Sequence, residues 1–383
     1  MVRNTRYRIL FTGGGTGGHI YPLIAVSAEL QMVAAQSGLD LHLRYLGSAG
    51  SYRQLLQDNG IKVGKIWSSK LRRYFSFKNF IDFPKFGLSL VQALWKVFWQ
   101  MPDVVFSKGG PSALAVVLAA RFYRIPVVIH DSDAIPGLTN LITGRYARVI
   151  TTSFPGAKDY FRKTKAEIIN VGNPVRRYLL SEEISQTWAK SFLGFDPNQP
   201  LILVLGGSQG SERINNFIVG ILPSLLPLSQ VLHQTGRGNY DRVVQAFQIA
   251  SADISEELKR KYQVVDYFEK DMRIALGAAD LVVSRAGSGS IFEIAAFGRP
   301  SILIPLPEAA NGHQSENAAE YSKTGAAEVI EESNLLPHLF LNQITGLFND
   351  PNELTKMSQA AFAFYKPDAA VNIAQIILQV NAS

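Results

Sequence analysis

His19 closes the stretch Gly13-Gly14-Gly15-Thr16-Gly17-Gly18-His19, where five glycines in six positions lie between an apolar run, Ile9 to Phe11, and an amphipathic one, Ile24 to Leu30. A glycine loop between strand and helix lets backbone N–H groups approach an anion, and the helix dipole favours negative charge there. A histidine tied to such a loop is a candidate general base with a pKa near neutrality. Five glycines exceed what a tight turn needs, which points to close approach of a ligand. Gly13, Gly15 and Gly18 also satisfy the G-x-G-x-x-G spacing of dinucleotide-binding proteins. That reading needs an acid at the end of the second strand to bind a ribose. The predicted strand 41–46 runs instead into Gly47-Ser48, and Asp40 lies before it, at the wrong end. A nicotinamide oxidoreductase is disfavoured on that ground.

Asp131-Ser132-Asp133 follows an apolar strand ending at His130. Asp131 is a second candidate base, provided apolar surroundings raise its pKa. The D-x-D spacing is also that of a metal chelate beside a nucleotide. The pair lies in the first half of the chain, away from the expected nucleotide half, and no metal requirement is expected. In the second half, Gly206-Gly207-Ser208-Gln209-Gly210 places Ser208 in a glycine loop whose hydroxyl and amide donors suit a diphosphate. The run Ser288-Gly289-Ser290-Ile291-Phe292-Glu293 brings Glu293 into the first turns of a helix. A carboxylate there can accept both hydroxyls of a ribose, or merely complement the helix dipole. Gln314 and Asn317, three apart, share a helix face, and amides offer donor and acceptor together for sugar hydroxyls.

The elements that must position these residues form one plan used twice. Short β-branched runs alternate with helical patterns, the mark of parallel α/β architecture. Strands are predicted near 7–12, 41–46, 103–106, 126–130, 147–151 and 167–171, then near 201–205, 230–234, 262–266, 280–284, 300–305 and 327–330. Each half begins with an apolar strand, a glycine loop and an amphipathic helix. At 383 residues two domains are expected: residues 1–174, and 175–363, with a C-terminal helix of about 364–383 packing back on the first. The linker is predicted to begin at Gly172-Asn173-Pro174, where the pattern breaks. The absence of cysteine excludes disulfides, cysteine-ligated zinc and a thiol nucleophile. No apolar run has the length of a signal peptide or a membrane span. The net charge of +7 points to an acidic partner. Without a stacking-aromatic motif for nucleic acid, a phosphorylated substrate or an anionic lipid surface is favoured.

Six motifs follow one another along the chain: GGGTGGH, Phe106-Ser107-Lys108-Gly109-Gly110, His130-Asp131-Ser132-Asp133 with Pro136-Gly137-Leu138, Gly172-Asn173-Pro174-Val175-Arg176, GGSQG, and the Glu293 segment with His313, Gln314 and Asn317. The ordered set strongly resembles the bacterial peptidoglycan N-acetylglucosaminyltransferases that convert lipid I to lipid II. The resemblance implies an α/β GT-B architecture, two Rossmann-like parallel-sheet domains facing across a cleft. It implies UDP-N-acetylglucosamine as donor, held mainly by the second domain, undecaprenyl-diphosphate-muramoyl-pentapeptide (lipid I) as acceptor, and an inverting β-1,4 transfer without a cofactor. It further implies that Glu293 binds the ribose and the backbone near Phe268 the uracil. Ser208 and Arg176 would contact the diphosphate, approached by Thr16, Gly17 and Gly18. Ser288, Gly289, Ser290, Ile291 and Phe292 would line the nucleotide and sugar site, Gln314 and Asn317 would read sugar hydroxyls, and Asp133 joins the substrate-binding positions. The chain departs from the pattern at Asp131, where the family has glutamate, at Pro111, where an aromatic is common, and at Arg53, in place of a glutamate.

From Lys70 to Met101 there are six basic residues, one acidic residue and nine aromatics. The stripe Leu88, Val91, Trp95 and Phe98 has helical spacing and is expected to face the core. Residues 70–86, with Arg72, Arg73 and Phe75, mix cations and aromatics without clear period and suit an anionic membrane surface. This fits a peripheral enzyme on the cytoplasmic face of the inner membrane. A related transferase with another lipid acceptor, a UDP-sugar epimerase of similar build and a silent sugar-binding protein are the competing readings.

Overall fold

The computed structural model describes residues 6–67, 78–180, 184–207, 209–269, 271–309 and 312–380. The chain forms two compact units, residues 1–176 with 366–383, and residues 177–365. The first holds a seven-stranded sheet built from β1 (Arg6–Thr12), β2 (Asp40–Gly47), β3 (Lys62–Lys65), β4 (Val104–Ser107), β5 (Val127–Asp131), β6 (Val149–Thr152) and β7 (Glu167–Asn170), in the order β3-β2-β1-β4-β5-β6-β7. The second holds β8 (Leu201–Leu205), β9 (Gln230–Gln234), β10 (Tyr262–Val265), β11 (Leu281–Ser284), β12 (Ser301–Leu303) and β13 (Ala327–Val329), in the order β10-β9-β8-β11-β12-β13. Every strand pair is parallel.

The central strands are buried along their whole length, as in Leu201–Leu205 and Val127–Asp131. Strands buried along their whole length are what a parallel sheet covered on both faces produces. Twelve of the thirteen strands lie where the sequence predicts. The exception, β3, is the four-residue edge strand Lys62-Val63-Gly64-Lys65. Two lysines and a glycine around a single valine give no alternation to detect, and lysine is a common guard of exposed sheet edges.

Each sheet reverses its strand order once, between β1 and β4 in the first unit and between β8 and β11 in the second. Loops leaving the carboxyl ends of strands at such a switch point part to opposite faces and leave a crevice. The two glycine loops follow β1 and β8, so both units place a glycine loop at that crevice.

Two sequence expectations are corrected. Gly172 and Asn173 are not linker but first-unit structure. Asn173 is buried and bonded to His130 and Ser132, while Gly172 lies against Lys366. The helix Lys78–Gln100 also turns the opposite way from expectation. Ser89, Ala93 and Val97 are buried, whereas Leu88, Val91, Trp95, Phe98 and Trp99 are 51%, 64%, 63%, 50% and 67% exposed. Small residues spaced by four let this helix settle closely on the alanine-rich helix Ala113–Phe122, and the bulky face is left outward. Arg72, Arg73 and Phe75 lie outside the described residues.

The C-terminal helix Ala369–Gln379 packs on the first helix, Gly17–Ser37. Ile373 and Ile377 join Ile20, Leu23 and Leu30 in one core, and the Tyr7 hydroxyl donates to the Ile377 carbonyl at 3.0 Å. Ile377→Ala is expected to destabilise the first unit by about 2–5 kcal/mol through lost burial and a residual cavity. Urea unfolding followed by tryptophan fluorescence measures this; an unmoved midpoint would remove the terminal helix from that core.

Candidate active site

At the first switch point the β1 loop, residues 13–18, meets the β4 loop, residues 108–110. Gly110 has φ +89, and a Cβ there would lie 2.7 Å from the Gly14 nitrogen, so backbone rests directly on backbone. On the other side, a Cβ on Gly15 would come within 2.5 Å of the Ser48 carbonyl oxygen. The Gly13 carbonyl accepts hydrogen bonds from Tyr45 Oη at 2.8 Å and Ser112 Oγ at 2.9 Å. Most of these glycines therefore serve protein packing, which corrects the expectation that they exist to admit a ligand. Gly18 is the exception: it is exposed, with nothing within 4 Å of a would-be Cβ.

His19 lies half-buried in the first turn of the helix Gly17–Ser37, its ring against Gly14. Its Nδ1 is 2.7 Å from Thr16 Oγ1. With Nδ1 as the donor, Nε2 carries the lone pair. The pKa is not near neutrality as expected: desolvation, reinforced by the Lys108 charge and partly opposed by Asp133, lowers it to about 4. The imidazole is therefore neutral at pH 7.

Lys108 went unrecognised in the sequence. It is buried, and its ammonium donates to Ser132 Oγ. Burial lowers its pKa to about 7 against the opposing pull of Asp131 and Asp133. Ser132 Oγ in turn donates to Asn173 Oδ1 at 3.0 Å, and Asn173 Oδ1 is 3.3 Å from Nε2 of the buried His130. Three motifs far apart in sequence thus form one polar network. The signal was available: a lysine between an apolar strand and two glycines at a strand's carboxyl end is placed for a ligand rather than for solvent.

Asp131 is buried, and burial together with the Asp133 charge raises its pKa to about 6. Both its oxygens are engaged, Oδ1 by the Asp133 N–H at 3.1 Å and Oδ2 by Asn140 Nδ2 at 2.8 Å and the Gly137 N–H at 3.2 Å. Those bonds shape the 131–140 loop and leave Asp131 poorly disposed to take a substrate proton. Arg176 ends the first unit, its guanidinium 4.6 Å from the centroid of the Tyr21 ring, two residues beyond His19.

In the second unit the loop after β8 is held by contact of the same kind. A Cβ on Gly210 would fall 1.9 Å from the Thr235 carbonyl oxygen, whereas Gly207 has open space around it. Ser208 lies outside the described residues. The helix Ser288–Ala296 starts at the crevice with Gly287 as its N-cap, and nothing lies within 4 Å of a would-be Cβ on Gly287 or Gly289. Glu293 is half-buried in the second turn of that helix, and Ile291 and Phe292 are core residues behind it. Arg285, another residue the sequence reading missed, is buried in an ion pair with Glu332. It donates to Ser211 Oγ at 2.8 Å and to the Ile304 and Pro305 carbonyls, tying three loops together.

Three expected ligand contacts take other partners here. Asn317 is wholly buried, and its Nδ2 donates to the Ala286 carbonyl at 3.2 Å. Gln314 Oε1 accepts the Leu306 N–H at 3.0 Å. The Phe268 N–H, in the stretch expected to meet the uracil, bonds Gln234 Oε1 at 3.1 Å.

Residues 9–152 match the glycosyltransferase family 28 N-terminal domain, and residues 201–373 match the C-terminal domain of that family. A UDP-N-acetylglucosamine–N-acetylmuramyl-(pentapeptide) pyrophosphoryl-undecaprenol N-acetylglucosamine transferase of Shouchella clausii is 37% identical over 89% of this chain and 91% of its own. The enzyme of the same name from Clostridium tetani is 33% identical over 93% and 94%. The chain belongs to this transferase family. The crystal structure of Acinetobacter baumannii MurG superposes with a TM-score of 0.75 at 26% identity, covering 98% of this chain and 99% of that one. A Neisseria meningitidis UDP-GlcNAc 2-epimerase bound to UDP-GlcNAc, at 14% identity and a TM-score of 0.68, shares the fold. The fold is α/β GT-B, and the two parallel sheets are its two Rossmann-like domains.

For a family 28 transferase, the Lys108 charge beside the candidate base has a direct spectroscopic consequence. Removing a nearby cation makes the imidazolium easier to form, so Lys108→Met should raise the His19 pKa above about 4, toward the ordinary histidine value. An NMR titration of the His19 ring follows this; an unmoved titration would show that the ammonium does not act on it.

Proposed function

We infer that this chain transfers N-acetylglucosamine from UDP-N-acetylglucosamine to undecaprenyl-diphosphate-muramoyl-pentapeptide, converting lipid I to lipid II with inversion. The relatives that carry this activity in their names align over about nine-tenths of both chains, and that observation carries the reading. The second unit takes the donor. Amides at the start of the helix Ser288–Ala296 and the open Gly207 suit the diphosphate, and Glu293 suits the ribose. The first unit takes the acceptor, with Gly18, Thr16 and His19 at its crevice.

The chemistry is a single displacement. The acceptor hydroxyl oxygen attacks the anomeric carbon, the bond to the UDP oxygen breaks, and the hydroxyl proton passes to His19 Nε2. A neutral imidazole is a weak base at a pKa of about 4. It suffices because the attacking oxygen becomes strongly acidic as its bond to carbon forms. Thr16 Oγ1 bonds Nδ1 and leaves Nε2 for the substrate, while desolvation with the Lys108 charge keeps the ring uncharged. His19→Ala should lower kcat by about 10²–10⁴-fold while leaving UDP affinity intact. Steady-state turnover with a lipid I analogue and calorimetric UDP titration separate the two effects; near-normal turnover would remove His19 from the mechanism. Product identification after incubation with both substrates tests the reaction itself, and UDP release without lipid acceptor would overturn it.

The outward face of the helix Lys78–Gln100 supports a place on an anionic membrane surface. Trp95 and Trp99 stack edge to face at 5.6 Å, and the exposed Phe122 extends the patch. Exposed tryptophans with cations nearby suit the interface, where an aromatic ring sits at headgroup depth. No helix among the described residues is long and apolar enough to cross a membrane, and a polyprenyl acceptor stays in the bilayer, so the enzyme has to come to it. Trp95→Ala with Trp99→Ala should cut sedimentation with phosphatidylglycerol vesicles severalfold without changing turnover on a water-soluble acceptor. Unchanged sedimentation would discard this face as the contact.

A further inference from the structure

Beside the His19 loop, at the carboxyl ends of β2 and β3, the first unit contains a pocket of about 670 Å³ that no step above uses. Its floor is the Gly47–Gly50 turn, whose Ser48 carbonyl touches Gly15. Val63, Ile66 and Trp67 supply an apolar wall, and Arg53, Lys65 and Lys85 complete the lining, which contains no acidic residue. The wall is anchored: the Trp67 N–H donates to Gln92 Oε1 at 3.2 Å, and Ser89 Oγ donates to the Trp67 carbonyl at 2.7 Å. The Trp67 side chain stays half exposed toward the opening.

The size is that of a small-ligand site, and the pocket opens at the carboxyl ends of β2 and β3, on the side of the sheet where the switch-point crevice also lies. Among the described residues, none of the three cations forms an ion pair with a carboxylate. Three like charges around one apolar hollow favour an anionic occupant with some apolar surface. The acceptor supplies one. Muramic acid carries its peptide through a lactyl ether on the 3-oxygen, the neighbour of the 4-hydroxyl that reacts. A sugar placed with that hydroxyl at His19 must therefore send its peptide out alongside the His19 loop. An extended pentapeptide spans roughly 17 Å and ends in a carboxylate.

We propose that this pocket binds the peptide of the acceptor, with Arg53 and Lys65 pairing its carboxylates and Trp67 covering its backbone. The proposal rests on the transfer reading above. It gives the departure at Arg53 a role, since a glutamate there would repel the same group.

The test compares two soluble acceptors, a lipid I analogue with the full peptide and one with the lactyl group alone, using wild type, Arg53→Glu/Lys65→Glu and the milder Arg53→Gln/Lys65→Gln. The expected result is that the ratio of kcat/KM for the peptide-bearing over the peptide-free acceptor falls about tenfold in the charge-reversed enzyme and by less in the neutral one. An unchanged ratio overturns the proposal, whether both acceptors weaken together or neither does. Loss of binding to phosphatidylglycerol vesicles with an unchanged ratio would assign the pocket to lipid headgroups and also overturn it. If wild type transfers to neither acceptor, the transfer reading has failed, and that outcome is separate from failure of the pocket.

Discussion

Gly110 resting on Gly14 is the contact on which the first site depends. It joins the loops on either side of the switch point, and it requires Gly110 to lack a side chain, since a Cβ there would fall 2.7 Å from the Gly14 nitrogen. Because the loops touch backbone to backbone, water is kept from what lies beneath them, and Lys108 is buried there with its amide on the Thr12 carbonyl at 2.9 Å. A buried ammonium is costly unless it finds partners. Ser132 takes one of its protons, and the carboxylates of Asp131 and Asp133 supply the opposing field. The same charge acts on the ring of His19, adding to desolvation in keeping it neutral. A packing requirement thus sets the protonation state of the group best placed to take a proton.

The second unit repeats the packing without the buried lysine. Gly210 against Thr235 and Gly236 against Gln209 close its loop in the same backbone-to-backbone manner. The buried cation is here a guanidinium, Arg285, fully engaged by Glu332, Ser211 and two carbonyls. Arginine keeps its charge when buried where lysine gives it up. The second site is accordingly a fixed frame of donors around a helix N-terminus, suited to holding a diphosphate. The first instead surrounds a neutral imidazole with buried groups whose pKa values are shifted by burial, Lys108 downward and Asp131 upward.

The sheets were legible because β-branched runs buried on both faces have no other way to satisfy their backbone, and the positions of His19 and Glu293 followed from strand, loop and helix order. What escaped the reading was what depends on contacts between distant segments. Lys108 lay within a recognised motif, yet its burial and its neighbours His19, Ser132 and Asp131 are brought together by the fold from three strand ends. For Asn317, helical spacing gives a face without saying what the face meets, and the bond to the Ala286 carbonyl could not be read from it. The glycines of the first loop were read as room for a ligand, when all but Gly18 are hemmed in by their own chain. β3 had too few apolar residues to leave a pattern.

The helix Lys78–Gln100 shows why periodicity alone misjudged its direction. An apolar stripe at helical spacing is normally driven inward by the area it removes from water. That drive is met only if the neighbouring surface has room for large side chains. The adjacent helix Ala113–Phe122 presents alanines and valines already buried to completion, and only Ser89, Ala93 and Val97 are small enough to approach them. The aromatic face must then lie outside, where in water it is a liability. An exposed face of this composition marks a contact site, and the lipid surface proposed above is a partner of matching chemistry. The inward fit of three small residues therefore fixes which side chains the helix presents outward, and the proposed lipid contact follows from that same packing choice.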